Sequence, residues 1–522
     1  MSLPPIALTT PLYYVNDLPH IGSAYPTIAA DALARYYRLQ GYPVRLITGT
    51  DEHGQKIQRA AEQGQRSPQQ HCDQMVAGFL SLWQKLGISY DAFARTTALQ
   101  HRQIVEQFFA RVLASDDIYL GQQQGWYCIA CEEFKEEKEL LDHHHCPIHV
   151  NVACEFRDEG NYFFRLSKYQ EQLEQLYRDR PNFIQPEIRR NEVLNFVAQG
   201  LKDFSISRLH LTWGIPLPND PSHTIYVWFD ALLGYISALL EPDAVADLDR
   251  AATWMPFKLH IIGKDILRFH AIYFPAMLLS AGLPLPERVF GHGFLTKDGL
   301  KMGKTTGNTI DPHDLCDRYG ADAMRYYFLR EIEFGKDGDF NEERYVAIVN
   351  ADLANSLGNL LNRSLGMVGK YCQQQVPDPN SSQIASLTLP IIYQASTLGD
   401  RVAEAYQQLN FQLACEEILD LVRNCNKLID DVAPWKLFKQ GELRPIAECL
   451  YTVLECVRIA TYLLSPITPT LSLAAHQQLG LELCLRHSWT AATGWGMLTA
   501  GTPLPQPQPI FQRLELVKGE TV

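Results

Sequence analysis

Strand and helix patterns alternate at the start of the chain, and this alternation constrains the fold more than any other feature. Ile6–Thr10 is a short β-like run, and a turn follows at 16–19. Ser23–Gln40 has apolar residues at helical spacing, and Val44–Thr48 has the composition of a second strand. This order predicts a parallel sheet with right-handed crossovers and a ligand at the carboxyl ends of its strands.

The α/β pattern is interrupted once and then gives way to helices. Between 121 and 151 the periodicity fails and Cys, His and Glu crowd together, which indicates a small inserted module. Gly291–Asp311 is rich in Gly, Lys and Thr and predicts a long functional loop. From about Glu342 helical periodicity dominates, which predicts an all-α bundle, and a Pro-rich tail after Gly501 predicts an extended surface segment.

Charge and composition exclude several classes of protein. The chain has 46 Lys+Arg and 59 Asp+Glu, so its formal net charge of −13 excludes a general polyanion-coating protein. No apolar run approaches the roughly 18 residues of a membrane helix, and the N-terminus lacks the basic region of a signal peptide. Twelve Cys in 522 residues is not disulfide density. We expect a cytoplasmic protein.

The tetrapeptide from His20 to Ser23 lies between the first strand and its helix. A helix N-terminus offers unpaired N–H groups and a partial positive charge, which suit phosphate. Gly22 permits close approach of a nucleotide, and His20 adds a donor aimed at phosphate charge. Read alone, the tetrapeptide is equally typical of a turn with an incidental histidine.

A second short motif, Lys301-Met302-Gly303-Lys304-Thr305, lies in the Gly-rich loop. Two lysines on a mobile arm can close over a triphosphate and neutralise the charge that develops as pyrophosphate leaves. Read alone, the segment is also typical of a solvated lysine loop.

The inserted module contains a pattern of metal ligands. Cys128-x2-Cys131 is followed after fourteen residues by Cys146-x2-His149. Three thiolates and an imidazole suit tetrahedral Zn²⁺, and four protein ligands leave no open position, so we predict one structural zinc site. Disulfides are the competing interpretation, and Cys154 or one of His143–His145 is an alternative fourth ligand.

Together these motifs resemble class I aminoacyl-tRNA synthetases, and within that class the methionine-specific family. The resemblance extends over nearly the whole chain and rests on the order of further stretches. These are Tyr13–Ser23, Gly49–Gly54, Gly200–Arg208, Tyr226–Tyr235, His260–His270, Gly291–Gly293 and Ala433–Trp435. It implies a Rossmann-type parallel sheet split by a zinc-bearing connective insertion and followed by an anticodon-binding helical bundle. The implied segments are 1–118 and 223–295 (catalytic fold), 119–222 (insertion), 296–350 (lysine loop and linking domain) and 351–522 (helical domain).

The resemblance also assigns roles to residues. His20, Lys301 and Lys304 are implied to stabilise the transition state. ATP contacts are implied for His20, Gly22, Ser23, Gly263, His292, Gly293, Lys301, Met302, Lys304 and Thr305. The methionine site is implied to comprise Pro11, Leu12, Tyr14, Asp51, Val227, Trp228, Ala231, Leu232, Tyr235, Ile266, Phe269 and His270, with Asp51 holding the ammonium group. Arg208 and Phe274 are implied to border the active site. The anticodon surface is implied to comprise Asn359, Asn362, Arg363 and Trp435. Read without the resemblance, the aromatic positions are typical of core.

The implied activity is ligation of methionine to tRNA(Met), whose anticodon is CAU, with ATP, Mg²⁺ and one Zn²⁺. Two departures from the family are Ser23, where many members have His, and the pair Gly303 and Thr305, where many have Ser. Three alternatives stay open: a class I synthetase for another amino acid, a small nucleotidyltransferase, and a non-catalytic tRNA-binding paralogue. Because the chain stops soon after the helical domain, we expect a monomer.

Overall fold

Strands and helices alternate along the first hundred residues and again near the middle of the chain. The computed structural model describes residues 3–129, 131–147, 150–209, 211–297, 299–301, 309–379, 382–482 and 489–516, with only the backbone at 300 and 301. Within these ranges the strands are β1 (Ile6–Tyr14), β2 (Val44–Asp51), β3 (Ala92–Arg95), β4 (Ile118–Cys128), β5 (Glu133–Lys135), β6 (Glu155–Phe164), β7 (Ile184–Gln185), β8 (Phe204–Ser205), β9 (Ser207–Arg208), β10 (Pro216–Leu217), β11 (Asp220–Ile225), β12 (Leu259–Gly263), β13 (Val289–His292), β14 (Leu295–Lys297), β15 (Leu300–Lys301) and β16 (Gly338–Phe340).

The helices surround the sheet and then dominate the C-terminal third. Over the same described ranges they are α1 (Ile21–Leu39), α2 (Gln55–Gln63), α3 (Pro68–Lys85), α4 (Leu99–Ala114), α5 (Gln170–Asp179), α6 (Glu187–Val197), α7 (Val227–Ser237), α8 (Leu248–Ala251), α9 (Phe274–Ser280), α10 (Pro312–Tyr319), α11 (Ala321–Glu331), α12 (Glu342–Val349), α13 (Asn359–Tyr371), α14 (Ala385–Gln407), α15 (Phe411–Val432), α16 (Pro434–Gln440), α17 (Leu443–Leu464), α18 (Pro469–Gln478) and α19 (Trp489–Thr493). None of these helices is long and apolar enough to cross a membrane.

The central sheet has the order β3-β2-β1-β12-β13-β7, and all its pairings are parallel. The chain builds outward from β1 through β2 to β3, and later returns to add β12 on the other side of β1. The strand order therefore reverses between β1 and β12. In doubly wound folds, ligands bind beyond the carboxyl ends of the strands at such a reversal. The predicted α/β fold class is confirmed.

The segment between the two halves of this sheet forms small antiparallel sheets. One has the order β5-β4-β6-β8 and contains the long β4–β6 hairpin, while another has the order β10-β11-β9. The predicted boundaries of the five segments stay a prediction, because strand pairing does not by itself define a domain.

Two local predictions need correction. Strand β1 continues to Tyr14, beyond the predicted end at Thr10, because pairing with β2 resumes after an irregularity between Thr9 and Leu12. The predicted loop at Gly291–Asp311 contains a short hairpin, since β14 pairs with β15 and, in parallel, with β16 some forty residues on. Nothing in the sequence near β14 indicates that it pairs with β16.

The helical part shares its core with one face of the central sheet. Buried residues of α1, α11, α14, α15 and α17 belong to one continuous apolar cluster, and the rings of Tyr36 and Tyr406 stack at 5.1 Å across the junction. A second cluster lies on the other face of the sheet. The Pro-rich tail contains no helix or strand over 502–516, as predicted, and it is held by contacts such as Leu514 N–H to Asn350 Oδ1 at 2.7 Å.

Candidate active site

The carboxyl edge of the central sheet brings together residues that are far apart in the sequence. Tyr14 ends β1 and is paired in register with Asp51, which ends β2. Gly263 ends β12 and is paired with His292, which ends β13. Because parallel strands share one carboxyl edge, the predicted amino-acid and nucleotide residues lie at the same reversal of strand order.

His20 caps the N-terminus of α1 at this edge. Its Nδ1 accepts from the Gly22 N–H at 3.0 Å, so the ring proton of the neutral imidazole lies on Nε2. A Cβ at Gly22 would lie 2.7 Å from the His20 ring, so an alanine there would displace the imidazole from this position. Ser23 Oγ accepts from the His20 N–H at 3.2 Å and completes a capping box. The Ser23 side chain therefore caps the N-terminus of α1.

Two glycines predicted to contact ATP, Gly263 and Gly293, lie close to other parts of the chain, and at Gly293 the close neighbour is backbone. A Cβ at Gly293 would lie 2.3 Å from the Lys336 backbone, and one at Gly263 would lie 2.4 Å from Asp265 Oδ1. His292 is buried, its Nδ1 donates to the Gly293 carbonyl at 2.8 Å, and burial lowers its pKa. Within the described chain its buried Nε2 has no hydrogen-bond partner.

The lysine motif lies mostly outside the described residues. Met302, Gly303, Lys304 and Thr305 fall there, and Lys301 is described only as backbone in β15, where it is paired with Thr296 of β14. The roles predicted for this motif stay predictions.

The residues predicted to bind the methionine side chain form one aromatic cluster beside Asp51, which is called the pocket below. Trp228 of α7 stacks on Phe269 at 4.0 Å, with the rings 8° from parallel, and Tyr14 meets Trp228 edge-on at 6.0 Å. Behind them the Tyr235 hydroxyl donates to His270 Nε2 at 2.9 Å, because His270 Nδ1 donates to the Ile266 carbonyl at 3.0 Å.

Burial keeps this pocket apolar and uncharged. It lowers the pKa of His270 to about 4, so the imidazole is neutral near pH 7. The remaining predicted pocket residues are buried or half-buried, namely Pro11, Leu12, Val227, Ala231 and Leu232. Phe274 lies behind them, 6.3 Å from the Tyr235 ring. A neutral, aromatic-lined pocket favours an unbranched, polarizable thioether side chain.

Asp51 is the acidic residue at the edge of this pocket. It is 1% exposed, and Oδ1 accepts no hydrogen bond from any described residue. Burial raises the pKa of Asp51 well above its usual range, the neighbouring carboxylates Asp230 and Glu132 raise it further, and a hydrogen bond from the His53 backbone opposes them. Such a carboxylate favours a cationic ligand, because an ammonium group would satisfy the oxygen and offset the repulsion.

Sequence reasoning assigned no role to a buried cluster behind Asp51. Asp230 of α7 accepts from His53 Nδ1 at 2.6 Å through one oxygen and from His101 Nε2 at 2.5 Å through the other. These partners hold the pKa of Asp230 down at about 2 despite its burial. The sequence does contain one signal for this cluster, because Asp230 is an acid within the apolar run Val227–Ser237 and a buried acid requires buried partners.

Two further charged residues connect the inserted module to the site. Arg208 is buried with its guanidinium 4.1 Å from the Tyr226 ring and 5.4 Å from the Tyr127 and Phe134 rings. Glu132 is 2% exposed and accepts from the Lys56 backbone N–H at 2.9 Å, at the start of α2. The glutamate thus ties the module to the loop that follows Asp51.

Three cysteines of the inserted module could hold a metal. The sulfurs of Cys128, Cys131 and Cys146 all lie within 4.8 Å of one another, and Cys131 and Cys146 are 3.5 Å apart. Thiolates at Zn–S distances near ~2.3 Å require such spacing. His149 lies outside the described residues, and Cys154 is buried against Cys128 and Cys146. His143 and His144 are exposed.

The predicted anticodon residues lie on the helical part, away from the sheet edge. Asn359 and Asn362 are exposed on α13, and the Arg363 guanidinium donates to the Asn426 carbonyl at 3.1 Å. Trp435 is 43% exposed on α16. Helices α13 and α16 meet where Tyr371 contacts Phe438 at 4.6 Å, so the four residues lie on adjoining helices.

Known proteins resemble this chain over its whole length. A family model for class I tRNA synthetases (M) matches residues 6–154 and 136–365. Methionine–tRNA ligases from Synechocystis sp. and Nostoc sp. are 61% and 60% identical to it, and these alignments cover 99% and 98% of both chains. A solved structure of Mycobacterium tuberculosis methionyl-tRNA synthetase in complex with methionyl-adenylate superposes with a TM-score of 0.93 at 40% identity, covering 98% of this chain and all of that one.

Proposed function

The chain belongs to the methionine-type family of class I tRNA synthetases, and we propose that it ligates methionine to tRNA(Met) in two steps. First, a methionine carboxylate oxygen attacks the α-phosphorus of ATP. The bond to the β-phosphate oxygen breaks, and pyrophosphate leaves with the bonding electrons. Then a hydroxyl of the terminal ribose of tRNA attacks the acyl carbon, loses its proton, and AMP leaves.

Methionine binds between Asp51 and the aromatic pocket. The open carboxylate oxygen of Asp51 receives the ammonium group, and Trp228, Phe269 and Tyr235 surround the thioether. The observation that carries this assignment is the buried, unsatisfied Asp51 Oδ1 beside a neutral aromatic pocket. A buried acceptor without a donor is costly, so its retention is explained by a cationic substrate.

ATP lies across the N-terminus of α1, with the reacting phosphate near His20. The Gly22 N–H fixes His20 with the Nε2 proton available to donate to phosphate oxygen. Lys301 and Lys304 neutralise the leaving pyrophosphate, and Mg²⁺ accompanies ATP and offsets triphosphate charge. Neither step uses a protein nucleophile, so positioning and charge stabilisation account for the rate.

Zinc has a structural role in this proposal. Cys128, Cys131 and Cys146 would hold one Zn²⁺, with His149 as the fourth ligand. When bound, the zinc would cross-link a module that has few apolar residues of its own. Glu132, directly after Cys131, then presents its carboxylate to the start of α2.

The helical surface reads the CAU anticodon as unpaired bases. Trp435 offers a stacking plane, and Asn359, Asn362 and Arg363 offer base-edge donors and acceptors. We further propose a cytoplasmic monomer, which light scattering tests, since a clear dimer mass would contradict it.

The decisive experiment is ATP–pyrophosphate exchange with each of the twenty amino acids, without tRNA. We expect exchange with methionine alone, and its loss in Asp51→Asn. Exchange with another amino acid would keep the class I chemistry and refute the pocket assignment. No exchange from a folded, zinc-loaded protein would favour the non-catalytic tRNA-binding alternative. Trp435→Ala is the matched control, because it should lower tRNA charging and leave exchange unchanged.

A further inference from the structure

We propose that His53 is a positioning residue that holds Asp51 at a fixed place relative to the methionine pocket, by linking it to Asp230. This inference rests on the proposed function, since it assumes that Asp51 receives the substrate ammonium.

The first contact lies within the loop after β2. Asp51 ends β2 and lies two residues before His53, and the His53 backbone amide lowers the pKa of the Asp51 carboxyl against the effect of burial. The short backbone between the two residues therefore couples the position of Asp51 to that of His53. Displacing this residue would move the carboxylate with it.

The second contact ties the His53 side chain to α7. Its Nδ1 lies 2.6 Å from Asp230 Oδ2, and the His53 ring is 7% exposed. Asp230 is followed directly by Ala231, and Trp228 lies two residues before it, so the same helix forms a wall of the pocket. This hydrogen bond thus connects the loop that carries Asp51 to the helix that forms a wall of the side-chain pocket.

The loop is also held from its other side. The Trp213 ring meets His53 edge-on at 5.6 Å, and Trp213 Nε1 donates to the Glu52 carbonyl at 2.5 Å. The Gly54 N–H donates to the Trp213 carbonyl at 3.1 Å. With Trp213 on one side and Asp230 on the other, the position of the loop depends on both contacts.

His101 provides a matched control within the same cluster. It donates to the other oxygen of Asp230 at 2.5 Å, and its Nδ1 lies 3.1 Å from Ser237 Oγ. It lies on α4 and has no contact with the loop after β2 among the described interactions. Both histidines therefore hydrogen-bond to Asp230, whereas among the described contacts His53 alone connects it to the loop that carries Asp51.

The experiment compares ligands that carry the ammonium group with one that lacks it. Dissociation constants are measured by calorimetry for methionine, methioninol and the desamino analogue of methionine. The variants are His53→Leu, which removes the donor, and His53→Asn, whose amide nitrogen lies close to the place of Nδ1. His101→Gln, which keeps a donor near Nε2, and His101→Leu are the controls.

We expect His53→Leu to weaken methionine and methioninol about 10-fold, as for loss of a charge-assisted hydrogen bond, while His53→Asn stays within about 3-fold of the parent. The desamino analogue should change less than about 2-fold in either variant, because it makes no contact with Asp51. Both His101 variants should affect all three ligands equally.

Equal weakening of all three ligands by His53→Leu would overturn the inference, because it would indicate loss of the pocket as a whole. Unchanged methionine affinity would also overturn it. If His53→Leu does not fold, His53→Gln is compared with the parent protein instead. The Gln amide lies one methylene farther from the backbone than the Asn amide, so it does not take the place of Nδ1. Failure of the parent protein to bind methionine would overturn the proposed function together with this inference.

Discussion

Replacing Arg325 by Met tests whether a buried ion pair holds the helical part against the sheet. Arg325 and Asp31 are both fully buried, and Arg325 Nη2 lies 2.7 Å from Asp31 Oδ2. The same guanidinium donates to the carbonyls of Pro466 and Ile467, each at 2.8 Å. It therefore joins α1, whose N-terminus carries His20, to the segment that precedes α18.

The expected cost follows from what the substitution leaves behind. Removing one member of a buried ion pair costs about 3–5 kcal/mol, because the partner charge stays buried. Asp31 retains Arg35 at 2.7 Å and the Ser89 N–H and hydroxyl at 2.7 and 2.6 Å. The loss should therefore lie at the lower end, at about 3 kcal/mol.

Native-state hydrogen exchange is the suitable assay, because a chain of this size does not unfold in one step. The free energy of exchange at the amides of 464–475 should fall by about 3 kcal/mol. Arg35→Met is the control. It removes a partly exposed partner of the same Asp31 and should cost less than about 1 kcal/mol. Equal losses in the two variants, or a loss below about 1 kcal/mol for Arg325→Met, would refute the reasoning.

Three further predictions concern the site. Gly22→Ala should displace the His20 ring and lower the rate of ATP–pyrophosphate exchange about 100-fold without changing the melting temperature, and a rate within a factor of about three would contradict this. Asp51→Asn should raise the free energy of unfolding above about pH 4, because the folded pKa of Asp51 lies well above 3.8 and its carboxylate destabilises the fold more as the pH rises. Asp230→Asn should lower the free energy of unfolding, because the folded pKa of Asp230 is about 2. That loss should become smaller as the pH falls from 4 to 2. Both free energies are measured by native-state hydrogen exchange at the amides of β2 and α7 across this pH range, and a change of the same sign in the two variants would exclude the assigned environments. Cys128→Ser should reduce the bound zinc below the one atom per chain that we expect, and should increase amide hydrogen exchange in β4 and β5 but not in β1. Full retention of zinc by this variant would argue against Cys128 as a ligand.

Local patterns predicted the elements around the site because their causes are local. The helix that begins after His20 follows from capping chemistry and apolar spacing, and β2 follows from a short apolar run that begins after Gly41 and Pro43. Elements stabilised by distant partners were missed. The hairpin β14–β15 depends on β16, and the last residues of β1 depend on β2.

The candidate site was predicted as a set of residues but not as an arrangement. Resemblance to a known family placed Tyr14, Trp228 and Phe269 in one pocket, and the structure brings their rings together. It assigned nothing to His53 or Asp230, although both lie inside stretches that carried the resemblance. Their pairing spans 177 residues, and no spacing rule connects residues so far apart.

The sequence by itself determined the chemical groups, the parallel α/β class and the helical C-terminal part, because periodicity, caps and ligand types act over a few residues. Tertiary structure alone decided which charges face each other. The reversal of strand order beside β1 brings distant residues to one edge, and α7, which packs against β1 and β3, brings the buried Asp230 close to the buried Asp51. Burial raises the pKa of both acids, and the donors His53 and His101 reverse that shift at Asp230 alone, since an acid in an apolar environment depends on its nearest donors.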